Sequence, residues 1–551
     1  MKLRNPFQSL TWNSLWLRSR ARSRRVRRRL APVSLAAEIL EARSLLSGNV
    51  VAATAGTALT LTSDSGDNDV NVFRLNATTV EIDGLNGTTI NGAASRTFAL
   101  SSVSGITVNL GSGFDSYDIF SASGNPALNI GAGGILFQGP SGGSSGDDLR
   151  VVNDSSSAMT IGGSVTVQGS LPLSPLVHHG SSDSSFRLFT DNHGNLTVMG
   201  SVFASQSDAD SGGQFNDIFT NSFGNNVTIF GSVTELARSA GTVNNEVFTQ
   251  GAGNMVISGS VTQTATSAGL LNEVAAFSSG SVKIGLGVTR TATSSTSTAE
   301  NLVEDRGSGS ISIGTGLMQM ATSSTSIAEN QVFDFGSGNI TTGMSLTQTA
   351  TSSTATAENQ IIDFFSGQIS IGLGLTQGTS SASSAENDVE TRSSGNVTIG
   401  PGGVTILASG SGSDDNEIIA RPGASITIAG SVAVTDTTTG SGNQFLEIDG
   451  DTSIGGALLV TMNGPHATIH VNDVEGFGTV EVKGLFSATM LGTSPVIIVG
   501  DDINGSGASP VRFDSGVTLL GALLAGATFE YDPANVSTPF IIPTFFAIIV
   551  S

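Results

Sequence analysis

The stretch TSSTATAENQIIDFFSGQISIG, residues 351–372, has a near copy in TSSTSIAENQVFDFGSGNITTG, residues 322–343, with Ala-Glu-Asn at the same place. Aligning on that Asn extends the pattern in both directions, giving the column Asn216, Asn245, Asn272, Asn301, Asn330, Asn359, Asn387 and Asn416, with spacings of 29, 27, 29, 29, 29, 28 and 29. Two residues after each Asn stands Ile218, Val247, Val274, Val303, Val332, Ile361, Val389 or Ile418, so every member of that second column is β-branched. A period of two with β-branched residues on one side is the signature of a half-buried strand. After a Gly turn each copy writes a second strand, as in NVTIFG, SVKIG, QISIG and NVTIG, where Val227 and Ile229, Val282 and Ile284, or Val397 and Ile399 flank a polar residue. A third β-prone piece, such as GSVTQTATS or MSLTQTATS, runs into a Ser/Thr-rich turn that leads to the next Asn.

These observations predict an all-β protein, a parallel β-helix (β-solenoid) of about 29 residues per coil with three strands per coil. Stacking is required by the energetics. A coil buries about five apolar side chains worth roughly 1.5–3 kcal/mol each, against about 1–2 kcal/mol of backbone entropy for each of its residues. No coil folds alone. Stacked coils place each Asn over the one before, and its amide is expected to bond its neighbours and the turn backbone as a register-fixing ladder. The regular coils span 191–450. Residues 48–190 read as less regular β-rich coils, with an insertion at about 170–189. Residues 451–551 read as irregular coils ending in a cap, because the apolar tail STPFIIPTFFAIIVS is too short to span a bilayer and carries Pro543.

Composition agrees. Gly accounts for 70 of 551 residues and charged residues for only 12%, which suits short strands and tight turns. There is no Cys, so disulfides and thiolate metal sites are excluded. Charge is segregated: residues 1–47 carry 11 Lys/Arg and two acids, whereas the remainder carries 12 basic and 43 acidic residues. A body this acidic repels nucleic-acid phosphates and anionic lipid, so no nucleic-acid partner and no transmembrane span are expected of it.

The head, 1–47, combines the basic run RSRARSRRVRRRL with Leu40-Glu41-Ala42-Arg43-Ser44-Leu45-Leu46. Its apolar piece, Leu30 to Ala37, is short for a standard secretion signal, and Glu38 follows it. LEARSLL resembles the LEPR-XLL motif near the N-termini of large planctomycete surface proteins, with Ala42 in place of the usual Pro. The resemblance covers about residues 20–48 and implies an exported, extracellular or cell-surface protein with a long β-rich body. A basic head with Trp12 and Trp16 also suits RNA or a membrane interface.

Candidate chemistry lies in the acids. Glu300, Glu329, Glu358, Glu386 and Asp415 precede the Asn in consecutive copies, and stacking would set them about 4.8 Å apart, each neighbouring pair repelling by roughly 0.9 kcal/mol even in water. Calcium, which prefers carboxylate and carbonyl oxygens, is the cofactor such a column suits, the alternative being a solvated acidic edge. GSGFDSY, 111–117, resembles part of a calcium-binding nonapeptide repeat. Asp305, Asp334 and Asp363 form a further column, read as a surface feature. His178, His179, Asp183 and His193 match no metalloenzyme spacing. Thr262, Thr264 and Thr266, with Thr347, Thr349 and Thr351, read as ordinary outward β-favouring residues. No catalytic set emerges. The expected function is an exported, non-catalytic structural or adhesive component whose partners are surface glycans or other envelope proteins. A polysaccharide lyase or hydrolase on the same scaffold, and a calcium-organised surface assembly, are the alternatives.

Overall fold

A computed structural model describes residues 48–551 apart from 101, 140–146, 169–183, 192–193, 208–212, 221–223, 440, 473–477, 501–509, 522–527, 532–539, 542–546 and 551, with side chains described to residue 520. The described residues contain strands and turns and no helix. The chain winds as a parallel β-solenoid of about 13 coils. Each regular coil has three strands, for example Ala299–Asp305, Ser310–Ile313 and Leu317–Ser323, and every one pairs in parallel with its counterpart in the next coil. The register follows the sequence repeat, Asn301 pairing with Asn330 and Asn330 with Asn359. First strands form one wall of the rod; second and third strands form the other.

The alternation read from sequence sets what lies inside. On the first strand Ala328, Asn330, Val332 and Asp334 are buried, with Glu329, Gln331 and Phe333 between them on the outer side. Val282, Ile284 and Val288 and their counterparts complete a continuous apolar core from Val50 to Leu519. A second, smaller cluster holds Ala265, Ala292, Ala321 and Ala350 of third strands and Ala299, Ala328 and Ala357 of first strands. There the two walls close on each other over mostly alanine, with Val243 and Leu270 the larger members. Outside the core, the rings of Phe189, Phe219 and Phe248 stack with centroids 4.6 and 4.9 Å apart, one strand spacing per coil.

Polar groups separate the two clusters. Each Asn of the column is fully buried and donates its side-chain amide to the Oδ1 of the next Asn, at 2.8–3.0 Å across seven links from Asn216 to Asn416. The amide's second partner differs from the expected turn backbone. It is a third-strand carbonyl across the coil: Thr264 for Asn245, Thr291 for Asn272, Met320 for Asn301 and Gly378 for Asn359. The reason is that Asn lies on the inward side, so its amide faces the opposite wall. From that wall Gln263, Gln319, Gln348 and Gln377, all fully buried, return the bond to the backbone carbonyls of Asn245, Asn301, Asn330 and Asn359 at 2.9–3.1 Å. The ladder thus sets register along the axis and also clasps one wall to the other.

The thin edge is closed by a serine at the end of five consecutive third strands, Ser267, Ser294, Ser323, Ser352 and Ser381. Ser323 and Ser352 accept from the N–H three residues on and donate to a carbonyl of the preceding coil, that of Ser297 and Ser326 respectively. At the N-terminal end the chain departs from coils. Asn49–Ala55 and Ala58–Thr62 pair antiparallel, as do Asn68–Asn76, Thr79–Leu85 and Ser95–Ala99. Asn86-Gly87 and Asn91-Gly92 take positive φ at both residues, the hairpin-type turn this excursion uses. At the C-terminal end, Thr528–Tyr531, Phe540–Ile541 and Ala547–Val550 continue the parallel stack, so the apolar tail adds strands to the last coils.

Candidate functional site

The outer face of the first-strand wall carries the predicted acidic column. Glu300, Glu329, Glu358, Glu386 and Asp415 stand in direct register from one coil to the next, all half-buried. They occupy the outward side because each immediately precedes an inward Asn. A second outward column, one residue past the Asn, continues the acidity with Asp217, Glu246 and Glu273, then Asp388 and Glu417. A third, two residues further on, holds Glu304 and Glu390, which pair with arginines: Arg306 at 2.8 Å from Glu304, and Arg392 and Arg421 at 2.6 and 2.7 Å from Glu390. Arg306 also lies over the Phe277 and Phe335 rings, and Arg392 over Phe364.

Burial, reinforced by neighbouring charge, raises the pKa of three members of the column. Burial, then the Glu304 charge, pushes Glu300 up to about 7. Burial, then Glu300 and Glu386, pushes Glu329 up to about 8, and burial followed by Glu386 pushes Asp415 up to about 6. Carboxylates at one-strand spacing in this state either share protons or accept hard cations. Among the described residues no three His, Asp or Glu side chains converge closely enough to hold a metal ion.

The second acidic column read from the sequence is corrected. Asp305, Asp334 and Asp363 were expected at the surface and are fully buried. Each lies four residues past the Asn, an even step, which places it on the inward side with Asn and Val. There it caps the turn into the second strand: Oδ1 accepts from the N–H two residues on, Gly307, Gly336 and Phe365, at 2.9–3.2 Å. Asp363 Oδ2 also accepts from the Asn396 N–H of the next coil at 2.9 Å. Gly367 and Gly395 are required opposite these carboxylates, since a Cβ there would fall 2.0 and 2.2 Å from Asp334 and Asp363 Oδ2. Burial raises Asp305 to about 6 and Asp334 to about 7.

Asp115 of GSGFDSY is likewise buried, accepting from Gly111 N–H at 2.6 Å and the Asn68 amide at 2.9 Å. The Thr columns lie on the outer side, and in TQTAT the Gln between two outward threonines faces in. His178, His179, Asp183 and His193, and the whole head including Leu40–Leu46, lie outside the described residues. A shallow recess of about 470 Å3 opens beside Phe215 and Thr242, with only glycines, Ala268 and Ser297 for the rest of its described lining and no titratable group among them. No helix among the described residues is long and apolar enough to cross a membrane. Comparison with family models, curated proteins and solved structures gave no match.

Proposed function

We propose that the protein is an exported, non-catalytic rod of a cell surface or extracellular matrix, structural or adhesive, with glycans or other envelope proteins as partners. The observation that carries this reading is the in-register repetition of the outer columns. The same carboxylate recurs at every coil from Glu300 to Asp415, so the face offers many equivalent weak contacts at one-strand spacing and not one distinct centre. The LEPR-XLL-like head supports the location. The enclosed pairing of Asn and Gln supports the mechanical role, because it ties the two walls together in the coils of Asn245, Asn301, Asn330 and Asn359.

The test is to localise the tagged protein and sequence the N-terminus of its mature form. Recovery outside the cytoplasm with the head removed or surface-anchored is expected; an intact head on a wholly cytoplasmic protein overturns the reading. Screening against acidic polysaccharides addresses the enzymatic alternative, since turnover abolished by a single acid substitution would replace the structural role.

A further inference from the structure

At the thin edge of the coil, where alanine faces alanine, one coil is built differently. Asp414 takes the first-strand place that Ala385 holds in the preceding coil, and Asp436 takes the third-strand place that Ala408 holds. Both point inward, 2% and 0% exposed, within hydrogen-bonding reach of each other across the coil. Asp436 Oδ1 accepts from Gln444 Nε2 at 2.6 Å and from the Thr438 N–H at 3.1 Å. The Gln444 amide oxygen is taken by the Gly464 N–H at 2.6 Å. Four oxygens are left with no hydrogen-bond partner: both of Asp414, Oδ2 of Asp436, and the hydroxyl of Thr438, itself 2% exposed and beside Asp436.

Two buried carboxylates cannot both stay charged and uncompensated, because each ion taken out of water costs several kcal/mol. A single shared proton neutralises one of them and engages two of the four orphan oxygens. A divalent cation neutralises both and engages all four. The donor set is oxygen only, which selects a hard ion, and an irregular set on two facing strands suits calcium's flexible coordination better than the near-ideal octahedron magnesium demands. We propose that Asp414, Asp436 and Thr438 form a buried calcium site that clasps the first strand of this coil to its third. The site is separate from the outer Glu300–Asp415 column and does not depend on the surface role proposed above. It serves where the clasp changes: the Asn ladder ends at Asn416, and Leu446 follows at the same place in the next coil.

The competing occupant is the proton, since burial with Asp436 alongside pushes Asp414 up to about 9. The full chain is stripped with EDTA and desalted. Calcium binding is then measured by isothermal titration, and the thermal midpoint in CaCl2 and in EDTA, for the wild type and for Asp414→Ala/Asp436→Ala. That double variant reproduces the Ala385 and Ala408 pair of the preceding coil and is expected to fold. The expected result is a midpoint raised by CaCl2 in the wild type, with one equivalent of calcium per chain and the stabilisation both lost in the variant. Calcium stabilisation unchanged in the variant would assign the ion to the outer column and overturn the proposal. No calcium effect in the wild type, with a midpoint that rises on acidification only when both aspartates are present, would assign a shared proton and overturn it equally.

Discussion

Two stretches of the same inner column behave differently. From Gln319 to Gln377 the third-strand column is neutral amide throughout, each Gln bonded to the first-strand backbone, and Gln348 and Gln377 each also to the Gln before it at 3.0 Å. Three coils toward the N-terminus the column reads Glu235, Gln263, Arg290, all fully buried. Glu235 keeps one bond, from Gln263 at 2.8 Å, and one unpartnered oxygen; Arg290 donates to the Asn272 and Leu302 carbonyls but leaves Nε and Nη2 without acceptors. Burial pushes Glu235 well above the usual carboxylate range and lowers Arg290 to about 9. The two charges are two coils apart, about 9.6 Å, worth roughly 1.7 kcal/mol at an effective dielectric near 20, less than the several kcal/mol of desolvation for each ion. The backbone template thus accepts charge inside, but only the amide stretch satisfies its neighbours without leaving a buried ion uncompensated.

Breaking the amide stretch has the largest expected effect. Asn330→Leu leaves the Asn301 amide and the Asn359 carbonyl oxygen without their partners in a dry interior, and should lower stability by about 3–5 kcal/mol, read as a drop in urea midpoint. Extending the amide stretch sharpens the contrast in the other direction. Glu235→Gln together with Arg290→Gln completes the row to Gln377, and a gain of about 1–4 kcal/mol is expected; a loss would show that the buried ions stabilise the coil. Gly367→Ala, which drives a methyl into Asp334, should cost about 1–3 kcal/mol, with part of the loss recovered when Asp334 is shortened to Ser.

The smallest effect is on pH dependence. Glu300, Glu329 and Asp415 have folded values of about 7, 8 and 6, above the ordinary carboxylate range. A raised folded value means that the folded chain holds protons that the unfolded chain releases. Their contribution is therefore fully present below the unfolded values and is lost as the pH rises through about 6 to 8. Thermal midpoints measured across that window should fall with rising pH, and Glu329→Gln should flatten the upper part of the slope.

Much of this was legible in the sequence. The 29-residue period and the β-branched residue two places after each Asn give the coil, its register and the inward face, because parity along a strand is strict. The same parity, carried two residues further, places Asp305, Asp334 and Asp363 inside, although their charge by itself points to the surface. Gln263, Gln319, Gln348 and Gln377 were hidden by their conspicuous outward threonine neighbours. Asp414 and Asp436 were beyond sequence reasoning, since 22 residues separate them and only the closure of the coil brings them together. The N-terminal hairpins have no repeat to announce them, although Asn86-Gly87 and Asn91-Gly92 carry the local turn chemistry.

The directions of the two amide files have a consequence for the rod as a whole. Every Asn donates toward the C-terminal coil, from Asn301 to Asn330 and from Asn330 to Asn359, whereas Gln348 and Gln377 donate toward the N-terminal one. Between Gln319 and Gln377, where both files are present, side-chain dipoles in one therefore oppose those in the other, and the Gln file offsets part of what the Asn file would sum along the axis as a helix does. Within that stretch a further coil carrying both Asn and Gln adds little net side-chain dipole to the rod.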